Sequence, residues 1–154
     1  MSCLNDKFDA LRSVYPEEMK SSLVLPLLQL MLEEKGHLTE CDAIYIAEYL
    51  DVPAIQVKEA LTWYTMLYKE LVGKHVVKIC RNIACSLLGA ERLIEYLERK
   101  LGIKEGETTP DGRFTLLAVE CLASCGTAPA MQVNDTYHEQ LNESKIDQIL
   151  KELS

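Results

Sequence analysis

Four of the six cysteines in this chain of 154 residues stand in two pairs. Four residues separate Cys80 from Cys85, and three separate Cys121 from Cys125. Thiolates are soft ligands that bind zinc, copper(I) and iron–sulfur clusters. Neither pair has the C-x-x-C spacing of redox disulfides, so the chemistry that the pairs predict is metal binding rather than disulfide exchange.

The spacing is compatible with three interpretations of the four cysteines: ligands of an iron–sulfur cluster, ligands of a zinc ion, or unliganded thiols. A structural zinc site holds one ion between closely spaced cysteines, and the Cys80–Cys85 loop is long for that purpose. A [2Fe-2S] cluster is wider than one ion and needs two thiolates for each iron, which suits longer loops from two separate places. Small residues in the loops favour the cluster, because they let backbone N–H groups approach sulfur. They are Ala84, Ser86, Ala123, Ser124, Gly126 and Thr127.

Each cysteine pair follows a predicted strand. β-branched and apolar residues predict strands over residues 75–79 and 114–119, and the apolar spacing between them predicts one helix over 86–100. Two strands joined by a crossover helix point their ends at the same edge of a sheet. We therefore expect the two cysteine loops to converge.

The remaining elements define the fold class. A predicted hairpin with strands 131–133 and 136–138, and a helix over 144–150, complete the order of a thioredoxin-like α/β sandwich. Residues 1–72 are helical throughout and short connections join the helices, which predicts a small bundle. The predicted class is α+β: an N-terminal helical bundle (1–72), then a thioredoxin-like α/β domain with a four-stranded mixed sheet (73–154).

Capping signals predict where the helices of the bundle begin. Ser21 or Ser22 is expected to cap the second helix, Thr39 with Asp42 to form a capping box for the third, and Asp51 to cap the fourth. The fourth helix is expected to turn its apolar residues inward, which are Ile55, Leu61, Met66 and Tyr68. The aromatic residues Trp63, Tyr64 and Tyr68 are expected to pack in a core at the domain junction.

The charge balance argues against nucleic-acid binding. The chain has 16 basic and 24 acidic residues, a net charge of −8, whereas a general nucleic-acid binder needs a basic surface. The longest apolar run, residues 23–32, is too short to cross a bilayer. The first residues lack a signal-peptide pattern, so we expect a cytoplasmic location without direct membrane insertion.

Four further residues are expected to stand outside the metal site. Cys3 and Cys41 are unpaired in sequence, and we interpret both as incidental or structural. His75 and His138 lie in predicted strands without a second ligand nearby in sequence. We interpret them as surface or partner contacts rather than metal ligands.

The sequence resembles the thioredoxin-like [2Fe-2S] subunit, known as the E-type subunit, of NADH:quinone oxidoreductase, respiratory complex I. The resemblance covers nearly the whole chain and includes LPLL at 25–28, WYTML at 63–67, GETTPDGRFTL at 106–116 and ECLASC at 120–125. One departure is Ala123, where the family often has glycine. It affects the local geometry of the loop, because glycine adopts backbone angles that alanine avoids.

The resemblance implies one [2Fe-2S] cluster, with Cys80 and Cys85 on one iron and Cys121 and Cys125 on the other. It also implies a partner, the flavoprotein subunit that binds FMN and NADH, with which the cluster exchanges single electrons. The chain would then work as a subunit of an oxidoreductase in the peripheral arm of a membrane-associated complex, with no catalytic residue and no complete active site of its own.

Two alternatives remain. The equivalent [2Fe-2S] subunit of an NAD-linked hydrogenase or formate dehydrogenase shares the same module. A zinc-stabilised, non-redox interaction protein belongs to a different class.

Overall fold

The computed structural model describes residues 2–153, and for Ser2 and Cys3 it describes the backbone alone. The contacts within the chain define two compact units, residues 1–71 and 72–154. The predicted order, helices first and a four-stranded mixed sheet after them, is confirmed. None of the helices within residues 2–153 has both the length and the apolar character that a membrane-spanning segment requires.

Within residues 2–71, the first unit contains four α-helices and a 3₁₀ helix. They are α1 (Ser2–Arg12), the 3₁₀ helix Glu17–Leu23, α2 (Val24–Lys35), α3 (Glu40–Leu50) and α4 (Ala54–Trp63). Burial of apolar side chains from all of them holds the unit together. The largest fully buried side chains are Phe8, Leu23, Leu27, Leu28, Leu38, Ile46 and Leu50.

The helix starts agree with the predicted caps at one position of three. The capping box at Thr39 is confirmed, because its hydroxyl accepts from the Asp42 N–H and the Asp42 carboxylate accepts from the Thr39 N–H at 2.8 Å. The prediction for Ser21 or Ser22 is wrong, since both lie inside the 3₁₀ helix and α2 begins without a side-chain cap. The prediction for Asp51 is also wrong: it ends α3 in the left-handed conformation, with φ 51°.

We expect Thr39→Ala to lower the free energy of unfolding by about 1 kcal/mol, as the loss of an N-cap usually does. Ser22→Ala is the matched control, because Ser22 is exposed and inside a helix; it should change stability by less than about 0.5 kcal/mol. Urea unfolding followed by circular dichroism measures both. Equal losses in the two variants would contradict the assignment of the cap.

Trp63, the last residue of α4, and Tyr64 directly after it are exposed, so their predicted place in a core is wrong, whereas Tyr68 is half-buried. Trp63 is 81% exposed, and Ile55 and Met66, predicted to face inward, are 63% and 48% exposed. The helix buries its other face, through Val57 and Leu61. The helix also ends at Trp63, so Met66 lies outside the helix whose spacing predicted that it faces inward.

The described part of the second unit, residues 72–153, contains the sheet and three α-helices. The strands are β1 (His75–Cys80), β2 (Phe114–Val119), β3 (Met131–Val133) and β4 (Thr136–His138), in the order β2-β1-β3-β4. β1 is parallel to β2 and antiparallel to β3, and β3 and β4 form the predicted hairpin. The helices are α5 (Ile83–Leu87), α6 (Ala90–Leu101) and α7 (Glu143–Glu152).

Two helices, the short α5 and the longer α6, replace the single helix predicted over residues 86–100. Gly89 adopts the left-handed conformation, with φ 91°, and separates α5 from α6. The helical spacing of apolar residues therefore breaks there. Leu87 and Leu88, which belong to the apolar spacing that predicted the single helix, are 81% and 60% exposed.

The pairing of β1 with β2 sets the position of the site. In the parallel register Val77 lies opposite Leu116 and Cys80 opposite Val119, so the two strands end level with each other. β1 starts against the backbone of Phe114, where a Cβ on Gly73 would approach within 2.8 Å. Only glycine fits this approach without displacing β2.

The outer edge of β2 is covered by residues 106–109. The Gly106 N–H donates to the Leu116 carbonyl at 2.7 Å, and the Leu116 N–H donates to the Glu107 carbonyl at 3.1 Å. The Thr109 N–H donates to the Phe114 carbonyl at 2.8 Å. This segment therefore pairs with the first half of the strand.

Candidate metal centre

Cys80 and Cys85 lie on the two sides of one tight turn. Cys80 is the last residue of β1, and Cys85 lies in α5. The Asn82 side chain caps α5 by accepting from the Ile83 N–H at 2.8 Å, which starts the helix directly after the strand. Both cysteines are buried.

Cys121 and Cys125 lie in the loop that follows β2. Cys125 begins the 3₁₀ helix Cys125–Thr127, which holds the end of the loop compact. Because Cys80 pairs with Val119, Cys121 lies two residues beyond the level at which β1 ends. Both cysteines of this pair are exposed.

The structure brings the four thiols together. The Cys80 thiol interacts with those of Cys85 and Cys121, and the Cys85 thiol interacts electrostatically with Cys125. Within residues 2–153, no three His, Cys, Asp or Glu side chains surround a single point as the ligands of one metal ion do. Two of the four thiols are buried and two face solvent.

Backbone N–H groups point at the sulfur atoms. The Ala123 N–H donates to Cys121 Sγ at 3.2 Å, as the small residues of the loop predicted. Burial alone would raise the pKa of the Cys80 thiol, but hydrogen bonds from the N–H groups of Asn82 and Leu122 and from the neighbouring Cys85 and Cys121 thiols together outweigh it and hold the pKa below its usual range. Such donors stabilise a thiolate, which is the form that binds metal.

Cys85 has the opposite tendency. Its burial, together with the neighbouring Cys80 sulfur, raises the pKa of the thiol above its usual value, although the Ala130 N–H acts against this. Around the two inner thiols lies a small cluster of apolar residues that excludes water. Its buried members besides the cysteines are Ala90, Leu122 and Ala130.

This donor set fits a [2Fe-2S] cluster. Such clusters are held by cysteine thiolates, and hydrogen bonds to the sulfur atoms and solvent exposure tune their potential. Four free thiols from two loops, with N–H donors directed at sulfur, supply these features. Cys80, Cys85, Cys121 and Cys125 are the residues that could hold such a cluster.

Ala123 adopts the left-handed conformation, with φ 56°. Glycine at this position would remove a conformational cost of about 1–2 kcal/mol from the folded state. It would also add about 0.5–1 kcal/mol of backbone entropy that is lost on folding. We therefore expect Ala123→Gly to raise the free energy of unfolding by up to about 1 kcal/mol. Thermal unfolding is the measurement.

Ala10→Gly is the matched control, since Ala10 is exposed inside helix α1. It should lower stability by about 1 kcal/mol, the usual cost of glycine in a helix. A loss of stability in both variants would contradict the strain at Ala123.

The other residues singled out from sequence lie elsewhere. Cys41 is an exposed residue of α3 in the first unit, and the Cys3 side chain lies outside the described residues. The His75 ring lies 5.3 Å from that of Phe114, measured between centroids. His138 pairs with Met131 across the hairpin.

Sequence reasoning missed Glu139, which lies directly after β4. Its carboxylate accepts hydrogen bonds from the hydroxyls of Ser124 and Thr127, on either side of Cys125. A glutamate beside a hairpin carries no pattern that indicates such a contact. The hydroxyls of Ser124 and Thr127 are the one sequence feature that indicates a hydrogen-bond acceptor near this loop.

Comparison with known proteins agrees with this geometry. The model of the family described as thioredoxin-like [2Fe-2S] ferredoxin matches residues 8–154. The chain belongs to that family. Membership confirms the predicted thioredoxin-like fold of the second half and the predicted kind of cluster.

Two relatives align with most of this chain. The E-type subunit numbered 2 of the NADH-quinone oxidoreductase of Rhizobium meliloti (strain 1021) is 39% identical over 148 residues, which cover 96% of this chain and 87% of that protein. The E-type subunit of the NADH-quinone oxidoreductase of Rickettsia prowazekii (strain Madrid E) is 40% identical over 139 residues, covering 90% and 78%. These relatives are subunits of an oxidoreductase complex rather than complete enzymes.

A solved structure shows the same fold. The crystal structure of an NAD⁺-reducing [NiFe]-hydrogenase in the air-oxidised state contains a region that matches 85% of this chain, with a TM-score of 0.71 and 16% identity. The matched region is 22% of that hydrogenase chain. At this identity the similarity concerns the fold.

Proposed function

We propose that this chain is an electron-transfer subunit of an NADH:quinone oxidoreductase. It carries one [2Fe-2S] cluster, with Cys80 and Cys85 on one iron and Cys121 and Cys125 on the other. The observation that carries the proposal is the convergence of four free thiols from two loops, in a member of this family.

When bound, the cluster accepts and releases one electron at a time, whereas NADH gives two as hydride. The chain's own residues hold the four thiolates, direct N–H groups at sulfur and keep water from the inner pair. The exchange with NADH therefore needs a flavin, and we assign FMN and the NADH site to a flavoprotein partner subunit. No catalytic residue is assigned to this chain.

The partner would approach the side of the site that bears Cys121 and Cys125. These thiols are exposed while Cys80 and Cys85 are buried, so this side offers the shorter path for an electron. Named relatives that are subunits of NADH-quinone oxidoreductase support the choice of complex. The corresponding location is cytoplasmic, in the peripheral arm of a membrane-associated complex.

A second candidate is the equivalent subunit of an NAD-linked hydrogenase or formate dehydrogenase. The fold shared with a region of the NAD⁺-reducing hydrogenase supports the hydrogenase as this second candidate. Isolation of the chain with its natural partners separates the candidates. Recovery with a flavoprotein and quinone-reducing subunits supports the proposal, and recovery with a nickel–iron subunit overturns the choice of complex.

Anaerobic reconstitution of the purified chain tests the cluster itself. We expect a red-brown protein with about two irons and two acid-labile sulfides per chain. Its visible absorption should bleach with dithionite, and a paramagnetic signal should appear on reduction. A colourless chain that takes up one zinc ion instead would overturn the proposal in favour of a zinc-stabilised interaction protein.

A further inference from the structure

Glu139 connects the segment after β4 to the loop that carries Cys125. The Thr127 hydroxyl donates to Glu139 Oε1 at 2.7 Å, and the Ser124 hydroxyl donates to the same oxygen. Ser124 immediately precedes Cys125, and Thr127 ends the 3₁₀ helix that Cys125 begins. The carboxylate therefore holds both ends of the short turn on which Cys125 lies.

Backbone hydrogen bonds align the two segments. The Gln140 N–H donates to the Thr127 carbonyl at 2.7 Å, and the Leu141 N–H donates to the Pro129 carbonyl at 3.0 Å. Leu141 is buried, which anchors the segment in the core of the second unit. The Lys145 ammonium donates to the Glu139 carbonyl at 2.6 Å, so α7 also fixes this backbone.

We propose that Glu139 is a positioning residue for the [2Fe-2S] cluster: through Ser124 and Thr127 it fixes the loop bearing Cys121 and Cys125, and its negative charge lowers the reduction potential of the cluster. The inference rests on the proposed function, since it requires the cluster to bind at the four cysteines.

The charge has a direct electrostatic consequence. Hydrogen bonds from Ser124 and Thr127 hold the pKa of the Glu139 carboxyl below its usual range, so the group is ionised at neutral pH. Reduction adds an electron to the cluster, and a negative charge nearby opposes that addition. Removal of the charge therefore shifts the reduction potential to a more positive value.

Three variants separate the charge from the hydrogen bonds. Glu139→Gln removes the charge and keeps an acceptor oxygen of the same shape. Glu139→Ala removes both. Glu95→Ala is the matched control, because Glu95 is also an exposed glutamate of the second unit and lies on helix α6.

Each reconstituted variant is measured in three ways. A redox titration gives the potential, electron paramagnetic resonance of the reduced protein gives the signature of the cluster, and a chelator assay gives the rate at which visible absorption is lost. We expect Glu139→Gln to shift the potential positively with a near-normal rate of loss. Glu139→Ala should shift the potential, change the resonance signature and lose its cluster several-fold faster than Glu95→Ala.

A double-mutant cycle tests the route through the hydroxyls. Ser124→Ala with Thr127→Val removes both donors, and adding Glu139→Ala to that pair should accelerate cluster loss little further, because residues that act through one contact are not additive. Fully additive effects would overturn the proposed route. An unchanged potential and rate in Glu139→Ala, or lower thermal stability with an unchanged potential and signature, would overturn the inference.

Failure of the inference is distinguishable from failure of the proposed function. A wild-type chain that binds no [2Fe-2S] cluster contradicts both. A wild-type chain that holds a cluster, with Glu139→Ala identical to Glu95→Ala, contradicts the positioning role alone.

Discussion

Cys121→Ser is expected to abolish the normal visible spectrum of the reconstituted chain, and Cys80→Ser is expected to do the same. A serine hydroxyl is a harder and far less acidic ligand than a thiol, so it binds the irons of a cluster poorly. Cys41→Ser is the matched control for Cys121, because both cysteines are exposed and Cys41 lies in the other unit. It should retain the full spectrum.

The measurement is iron content and visible absorption per chain after anaerobic reconstitution, with circular dichroism to show that each variant is folded. Normal iron content together with an unchanged visible spectrum in a folded Cys80→Ser or Cys121→Ser chain would rule out the assigned ligands. Loss of the spectrum in Cys41→Ser would also contradict the assignment, since that thiol lies outside the proposed site.

Leu116→Ala is expected to be the most destabilising of the substitutions considered, with a loss of about 2–5 kcal/mol in the free energy of unfolding. Leu116 is fully buried in β2 and lies opposite Val77 of β1, so the substitution leaves a cavity beneath the strand pair that positions the site. Leu87→Ala is the control, because Leu87 is 81% exposed.

Calorimetry or urea unfolding of the two variants provides the comparison. Leu87→Ala should change stability by less than about 0.5 kcal/mol, as surface substitutions usually do. Similar losses in both variants would mean that the burial of Leu116 does not determine the stability of the sheet.

Local signals explain why much of the site was predictable. The strands before Cys80 and Cys121 are apolar and β-branched, the Asn134–Asp135 turn fixes the hairpin, and both features act over a few residues. The chemistry of thiolates then indicated what the two loops could bind. Parallel pairing of β1 with β2 followed from the crossover between them.

The features that sequence reasoning missed depend on tertiary contacts or on competition between local signals. Trp63 is of a residue type that usually packs in a core, but α4 buries the face that does not carry Trp63. Asp51 is a good N-cap by type, yet it adopts the left-handed conformation that ends the preceding helix. Glu139 meets Ser124 and Thr127 across the fold, and its own sequence neighbourhood gives no sign of that contact.

The pairing of residues 106–109 with β2 also limits how the sheet can grow. Open strand edges attract strands from other chains and lead to aggregation. The segment already uses the backbone groups of Phe114 and Leu116, and the opposite edge is β4, a strand of three residues. Association of copies along the first half of β2 would therefore have to displace residues 106–109, and association along β4 would rely on a strand too short to hold a partner.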